Sequence, residues 1–225
     1  MTSQDLILSE IDDFLNEDLA HRGAVECVIL CGSYATGKAA ERSDVDLCYI
    51  GQFDDFSRER RLMYRGREYE LMIAPWSWCE HVVSEYERKG NIGTITAMLA
   101  TGVCLRGDSE TWRKLQQFAR QHYDAGPSRP TDIEIRKIKA GISDLWDDYC
   151  DASDTLVRRW ISVEIVRECV NAQFILRGWW AVKTKYQLEE LTNRDKNMAE
   201  LVHLCLDSSG YNDEAMERLV QIVLS

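Results

Sequence analysis

A chain of 225 residues can form one large domain or two small ones. With 45% apolar and 29% charged residues it can build a core under a wet surface, which excludes a disordered or fibrous chain. Its 38 acids against 27 bases leave a net charge of -11, which disfavours a nucleic-acid partner and suits a cationic one.

Residues 5–20 place Leu6, Ile7, Ile11, Phe14, Leu15 and Leu19 at helical spacing, with Thr2 or Ser3 as cap and Gly23 as stop. The opening MTSQDLILSEIDDF lacks the basic-then-apolar order of a signal peptide, and no apolar run reaches membrane-spanning length. A cytoplasmic location and no membrane partner are therefore expected. Residues 25–31, VECVILC, predict a buried strand, and residues 33–39 a short helix. Residues 44–50, DVDLCYI, predict a second strand, with Asp44, Asp46 and Cys48 on one face and Val45, Leu47 and Tyr49 on the other.

Residues 51–60 are polar and predict a loop; 61–65 and 67–73 predict a hairpin whose second arm ends before Pro75. Helices are expected at 77–89, 92–101 and 110–122, with a short strand at 103–106. The stretch DAGPSRPT, residues 124–131, holds two of the three prolines and predicts a boundary between domains at 1–123 and 131–225. Beyond it, helices are expected near 131–151, 155–181, 185–207 and 213–224. That order predicts an α/β (α+β) domain with a mixed sheet, followed by an all-helical bundle. The eight cysteines show no CxxC pair, and several lie in apolar runs, which predicts reduced, buried thiols.

The chemistry concentrates in residues 32–50, GSYATGKAAERSDVDLCYI. Gly32 lets backbone approach a ligand closely, and Ser33 adds a hydroxyl donor beside the exposed N–H groups of a turn that suits phosphate. Asp44 and Asp46, two residues apart on a strand, point the same way and repel each other unless a cation lies between them. Mg²⁺ prefers oxygen ligands and commonly bridges carboxylates to substrate phosphates. A third acid is needed on a neighbouring strand: Glu70 in REYELMI is the first choice, and Glu68 on the same strand face the second. Arg42 can reach phosphates or pair with Glu41, and Lys38 is similar.

Gly-Ser, a spacer and Asp-x-Asp together resemble the signature of the DNA polymerase β-like nucleotidyltransferase superfamily, over roughly residues 20–107. Gly32 and Ser33 match its phosphate-binding pair, Asp44 and Asp46 its metal ligands, and Glu70 its third carboxylate. That carboxylate is usually aspartate, though antibiotic nucleotidyltransferases can carry glutamate there. The helical second half is similar to the substrate-binding bundle of the aminoglycoside and minimal branches. The resemblance implies a Mg²⁺-dependent enzyme that moves a nucleoside monophosphate from a nucleoside triphosphate, with ATP the expected donor, to an acceptor. It further implies a base in the helical half that reaches back to the triphosphate. Lys185 is the first choice and Lys183 the second, with Trp179 or Trp180 available to stack on the adenine.

The segment GISDLWDDYCDASDT holds Asp144, Asp147, Asp148 and Asp151 at helical spacing. Such a face suits a cationic or polyhydroxyl acceptor, with Asp148 as general base and Glu164 and Glu168 as rivals. The expected acceptor is a small hydroxylated molecule, an aminoglycoside-like antibiotic being one that fits the acidic surface. Two alternatives stand beside it: nucleotidylation of a protein or a tRNA, for which Arg158, Arg159, Lys183 and Lys185 would supply a local basic patch, and a nucleotide-binding module without turnover.

Overall fold

The computed structural model describes residues 3–107, 109–207 and 212–225. Thr2, one of the two expected caps, lies outside them, as does the side chain of Ser3. The chain divides into two compact units, Met1–Glu87 with Thr94–Ala125, and Arg88–Gly93 with Gly126–Ser225.

The first unit is built on five strands: β1 (Val25–Cys31), β2 (Val45–Gly51), β3 (Ser57–Tyr64), β4 (Arg67–Pro75) and β5 (Val103–Gly107). Their order in the sheet is β3-β4-β2-β1-β5. The β2–β4 pair is parallel and the others antiparallel, so the sheet is mixed, as the sequence predicts. Helix α1 (Ser3–Asp18) lays Ile7, Ile11, Phe14 and Leu15 on one sheet face, against Val28, Leu47, Tyr49 and Tyr69. The other face carries Ile29, Cys48 and Met72. It is covered by α3 (Trp76–His81), α5 (Thr94–Thr101), α6 (Ser109–Ala125) and the π-helical turn Val82–Tyr86. Burial on both faces explains the nearly unbroken apolar runs of β1 and β2. No disulfide links the eight cysteines, and among the described residues no helix is long and apolar enough to cross a membrane.

Several boundaries differ from expectation. Residues 57–60 belong to β3 and not to a loop. This strand is the sheet's edge, where charged side chains blunt pairing with other chains, so its polar SRERR run gives no hydropathy signal. Strand β4 continues through Pro75, because its parallel pairing with β2 extends to Gly51. The short helix expected at 33–39 is a single turn, α2 (Gly32–Ala35), tied off by Thr36 Oγ1 donating to the Gly32 carbonyl at 3.1 Å. Helix α5 starts at Thr94, two residues late, because the buried Glu87 carboxylate caps it: it accepts from the N–H groups of Ile95 (2.8 Å) and Thr96 (2.6 Å). The helical run that begins with α3 ends in α4 (Glu87–Gly90), where the chain leaves the first unit.

Arg22 links the strand edge to the end of α1. Its Nη2 donates to Glu59 at 2.7 Å and its Nε to Asp18 at 3.1 Å, and Asp18 also accepts from the Tyr49 hydroxyl at 2.9 Å. The Arg22 guanidinium holds the Glu59 carboxyl below the ordinary carboxylate range. A carboxyl lowered in the folded state contributes stability that is present above its unfolded pKa and is lost as pH falls through its folded pKa. The Tm gap between wild type and Glu59→Gln is therefore expected to be open at neutral pH and to narrow in acid below the carboxylate range. A gap that stays constant across that range would break the assignment.

The second unit holds α7 (Asp132–Asp151), α8 (Thr155–Arg177), α9 (Thr184–Arg194), α10 (Lys196–Leu206) and α11 (Asp213–Leu224) around a core that includes Ile142, Tyr149, Ile165, Leu191 and Leu219. A reciprocal capping box joins Thr131 and Glu134 at the start of α7. Helix α8 stops at Arg177, short of the expected 181, with Gly178 as its cap. The single helix expected at 185–207 is two helices. Asp195 leaves helical geometry, caps the Met198 N–H at 3.0 Å and accepts from the buried Gln173 amide at 2.8 Å. A local carboxylate–backbone bond of that kind competes with the helix ladder and breaks it.

Candidate active site

Strand register assembles the acids. Asp46 pairs with Cys31 across β1 and with Glu70 across the parallel β2–β4 ladder. Parallel partners place their side chains side by side on one face, here the face of Cys48 and Met72. Asp44 precedes β2 instead of lying within it, yet it joins them: one carboxylate oxygen from each of Asp44, Asp46 and Glu70 lies within 4.8 Å of the others. Asp44 is exposed, while Asp46 and Glu70 are half-buried. Glu68 is exposed and stands outside this group.

Gly32 closes β1 with φ +64°, and a Cβ there would sit 2.0 Å from Asp46 Oδ2. The carboxylate of Asp46 therefore rests against bare backbone of the turn, which only glycine permits. Ser33 follows, half-buried, and its carbonyl accepts the Lys38 N–H at 2.9 Å. The turn is braced from the α1 side. Arg67 donates to the Tyr34 hydroxyl at 2.6 Å and to Glu10 at 3.1 Å, and Glu10 also accepts from Tyr69 at 3.1 Å. Beneath the site, burial and then the Asp46 charge push the Cys31 thiol up.

Two arginines that sequence reasoning did not select complete the surroundings. Arg58 is ion-paired and hydrogen-bonded to Glu70, and Arg60 Nε lies 3.6 Å from the same carboxylate. Both come from β3. Their spacing of two suits one strand face, but the polar run around them reads as a loop in the sequence, which hides the signal.

Arg42 and Lys38 are exposed in the loop between α2 and β2. The remaining selected residues belong to the helical unit. Asp148 is exposed on α7, as are Asp144, Asp147 and Asp151. Lys183, at the N-cap of α9, and Lys185 are exposed, the latter with Nζ 4.8 Å from the Tyr186 ring centroid. Trp180 is buried, and a Cβ on Gly93 would meet its ring at 2.6 Å. Trp179 packs edge-on against Phe174 and carries the Arg194 guanidinium 5.4 Å from its centroid. Both tryptophans are thus engaged within their own unit. Arg158 is engaged with Asp213 at 3.2 Å and with the Tyr149 ring. Glu164 and Glu168 both pair with Arg167.

Comparison with known proteins gives three findings. No curated protein sequence matches the chain. A solved structure, that of a nucleotidyltransferase-like protein from Exiguobacterium sibiricum 255-15, is similar over 96% of this chain and 72% of that one, at 11% identity and a TM-score of 0.46. Residues 9–95 match the family model described as a nucleotidyltransferase domain. The mixed-sheet N-terminal part of this chain is accordingly a domain of nucleotidyltransferase type, followed by a bundle of helices.

Proposed function

We propose that this chain transfers a nucleoside monophosphate, from ATP, to a hydroxyl of a small molecule. One observation carries the reading: Asp44, Asp46 and Glu70 converge beside the Gly32 turn, inside the segment that matches a nucleotidyltransferase domain. Three carboxylates within 4.8 Å form an all-oxygen donor set, the type a hard divalent cation takes. Mg²⁺ held by these three acids would offset the charge of the phosphates and of the attacking oxygen.

The chain's own residues have separate tasks in this reading. The Gly32–Ser33 turn grips the triphosphate through backbone N–H groups and the serine hydroxyl. Arg42, exposed in the loop that follows the turn, adds positive charge beside it. The acceptor oxygen forms a bond to the α-phosphorus, the bond from that phosphorus to the α–β bridging oxygen breaks, and pyrophosphate departs. The acceptor proton passes to a general base.

The test is pyrophosphate release from Mg²⁺–ATP across a panel of hydroxylated acceptors, with wild type and the Asp44→Ala, Asp46→Ala double variant. Release by wild type and its loss in the double variant are expected. Wild type that binds nucleotide yet releases no pyrophosphate with any acceptor would leave a nucleotide-binding module instead.

A further inference from the structure

The geometry points to an acceptor that carries an anionic group, phosphate or carboxylate, close to its reacting hydroxyl, with Arg58 and Arg60 as the residues that hold it. This inference rests on the nucleotidyl-transfer reading of the Asp44, Asp46 and Glu70 cluster and narrows its substrate class.

Sheet order supplies the first argument. The phosphate-gripping turn follows β1, whereas β3 is the edge strand at the far side of β4 and β2. The acids lie between them: Asp46 on β2 and Glu70 on β4. A donor triphosphate gripped at Gly32 and Ser33 occupies the β1 side of the acids. The acceptor must approach the α-phosphorus opposite the leaving pyrophosphate, which puts it toward β4 and β3.

Register supplies the second. Arg58 pairs with Met72, so its side chain stands on the same face as Glu70 and Asp46. Arg60, two residues on, reaches the same Glu70 carboxylate. The two guanidinium groups are not sequestered, since their side chains are 38% and 61% exposed.

Charge supplies the third. Glu70 is the ion-pair partner of both arginines. A cation that draws on Glu70 competes with them, which leaves two guanidinium forks facing whatever lies beside the cluster. Guanidinium presents paired N–H donors that match an oxyanion, and a cationic acceptor would be repelled by it. The overall charge of -11 thus misdescribes this spot, where the edge strand runs Ser57-Arg58-Glu59-Arg60-Arg61.

The test is calorimetric and needs no turnover. Wild type is first titrated with a non-hydrolysable ATP analogue in Mg²⁺, and inorganic phosphate is then titrated into the saturated protein. Phosphate is expected to bind the saturated wild type. Its affinity should fall at least about tenfold in the Arg58→Ala, Arg60→Ala double variant and recover in part with lysine at both positions, while the analogue's affinity does not fall, because loss of the guanidinium groups frees Glu70 for the cation. Phosphate binding that is absent, or equal in wild type and the alanine variant, overturns the inference. So does loss of analogue affinity in that variant, which would assign the arginines to the donor. Failure of wild type to bind the analogue in the first titration sinks the nucleotidyl-transfer reading itself and this inference with it, before any phosphate is added.

Discussion

Replacing Asp46 by asparagine is expected to abolish the Mg²⁺-dependent stabilisation of the protein and to leave the metal-free form at least as stable as wild type. Like charges held within 4.8 Å raise the free energy of the empty site, relieved in part by Arg58 on Glu70. Asparagine matches the shape of aspartate, so its fit against the Gly32 backbone survives while one charge is removed. A ligand present at a hundredfold excess over its dissociation constant stabilises by about 2.7 kcal/mol, which for a chain of this size raises Tm by roughly 5–10 °C. Differential scanning calorimetry with and without Mg²⁺ reads both effects. A variant that keeps the metal-dependent shift would show that the cation binds elsewhere, and one much less stable without metal would show that Asp46 has a structural task instead.

Gly32→Ala is expected to lose at least about a hundredfold in turnover and about 1–3 kcal/mol in stability. Two costs combine at this position. The backbone there is left-handed, at φ +64°, which an L side chain adopts at a penalty. The new methyl would also lie 2.0 Å from Asp46 Oδ2, so the carboxylate must move out of the cluster. Gly37→Ala separates the two. Gly37 has φ +69° and nothing within 4 Å of an added Cβ, so it bears the conformational cost alone. Comparable stability losses with a turnover defect confined to Gly32→Ala would support the close approach as the reason. Equal turnover defects would assign the effect to loop conformation in general, against the contact with Asp46.

Much of the architecture is legible in the order of residues. The α1 stripe and the apolar runs of β1 and β2 carry local periodicity that a linear reading detects. The misses share a cause. Strand β3 is charged because it lies at an edge, the start of α5 depends on Glu87 from an earlier helix, and the α9–α10 break depends on Asp195, which caps Met198 and accepts from Gln173 on α8. In each case a polar side chain makes the deciding interaction, and hydropathy periodicity does not register it.

The site divides along the same line. The Gly-Ser turn and the Asp-x-Asp pair lie within fifteen residues, Gly32 to Asp46, close enough in the chain to be legible together, although Asp44 joins Asp46 from just before β2 and not by strand alternation. Choosing Glu70 over Glu68 is different, because both share a strand face and alternation cannot separate them. The parallel register of β4 on β2 does so, by setting Glu70 beside Asp46. The antiparallel pairing of β3 on β4 sets Arg58 opposite Met72 on that face, and Arg60 beyond it lies 3.6 Å from the same carboxylate, since pairing between strands fixes which side chains become neighbours and the chain order does not.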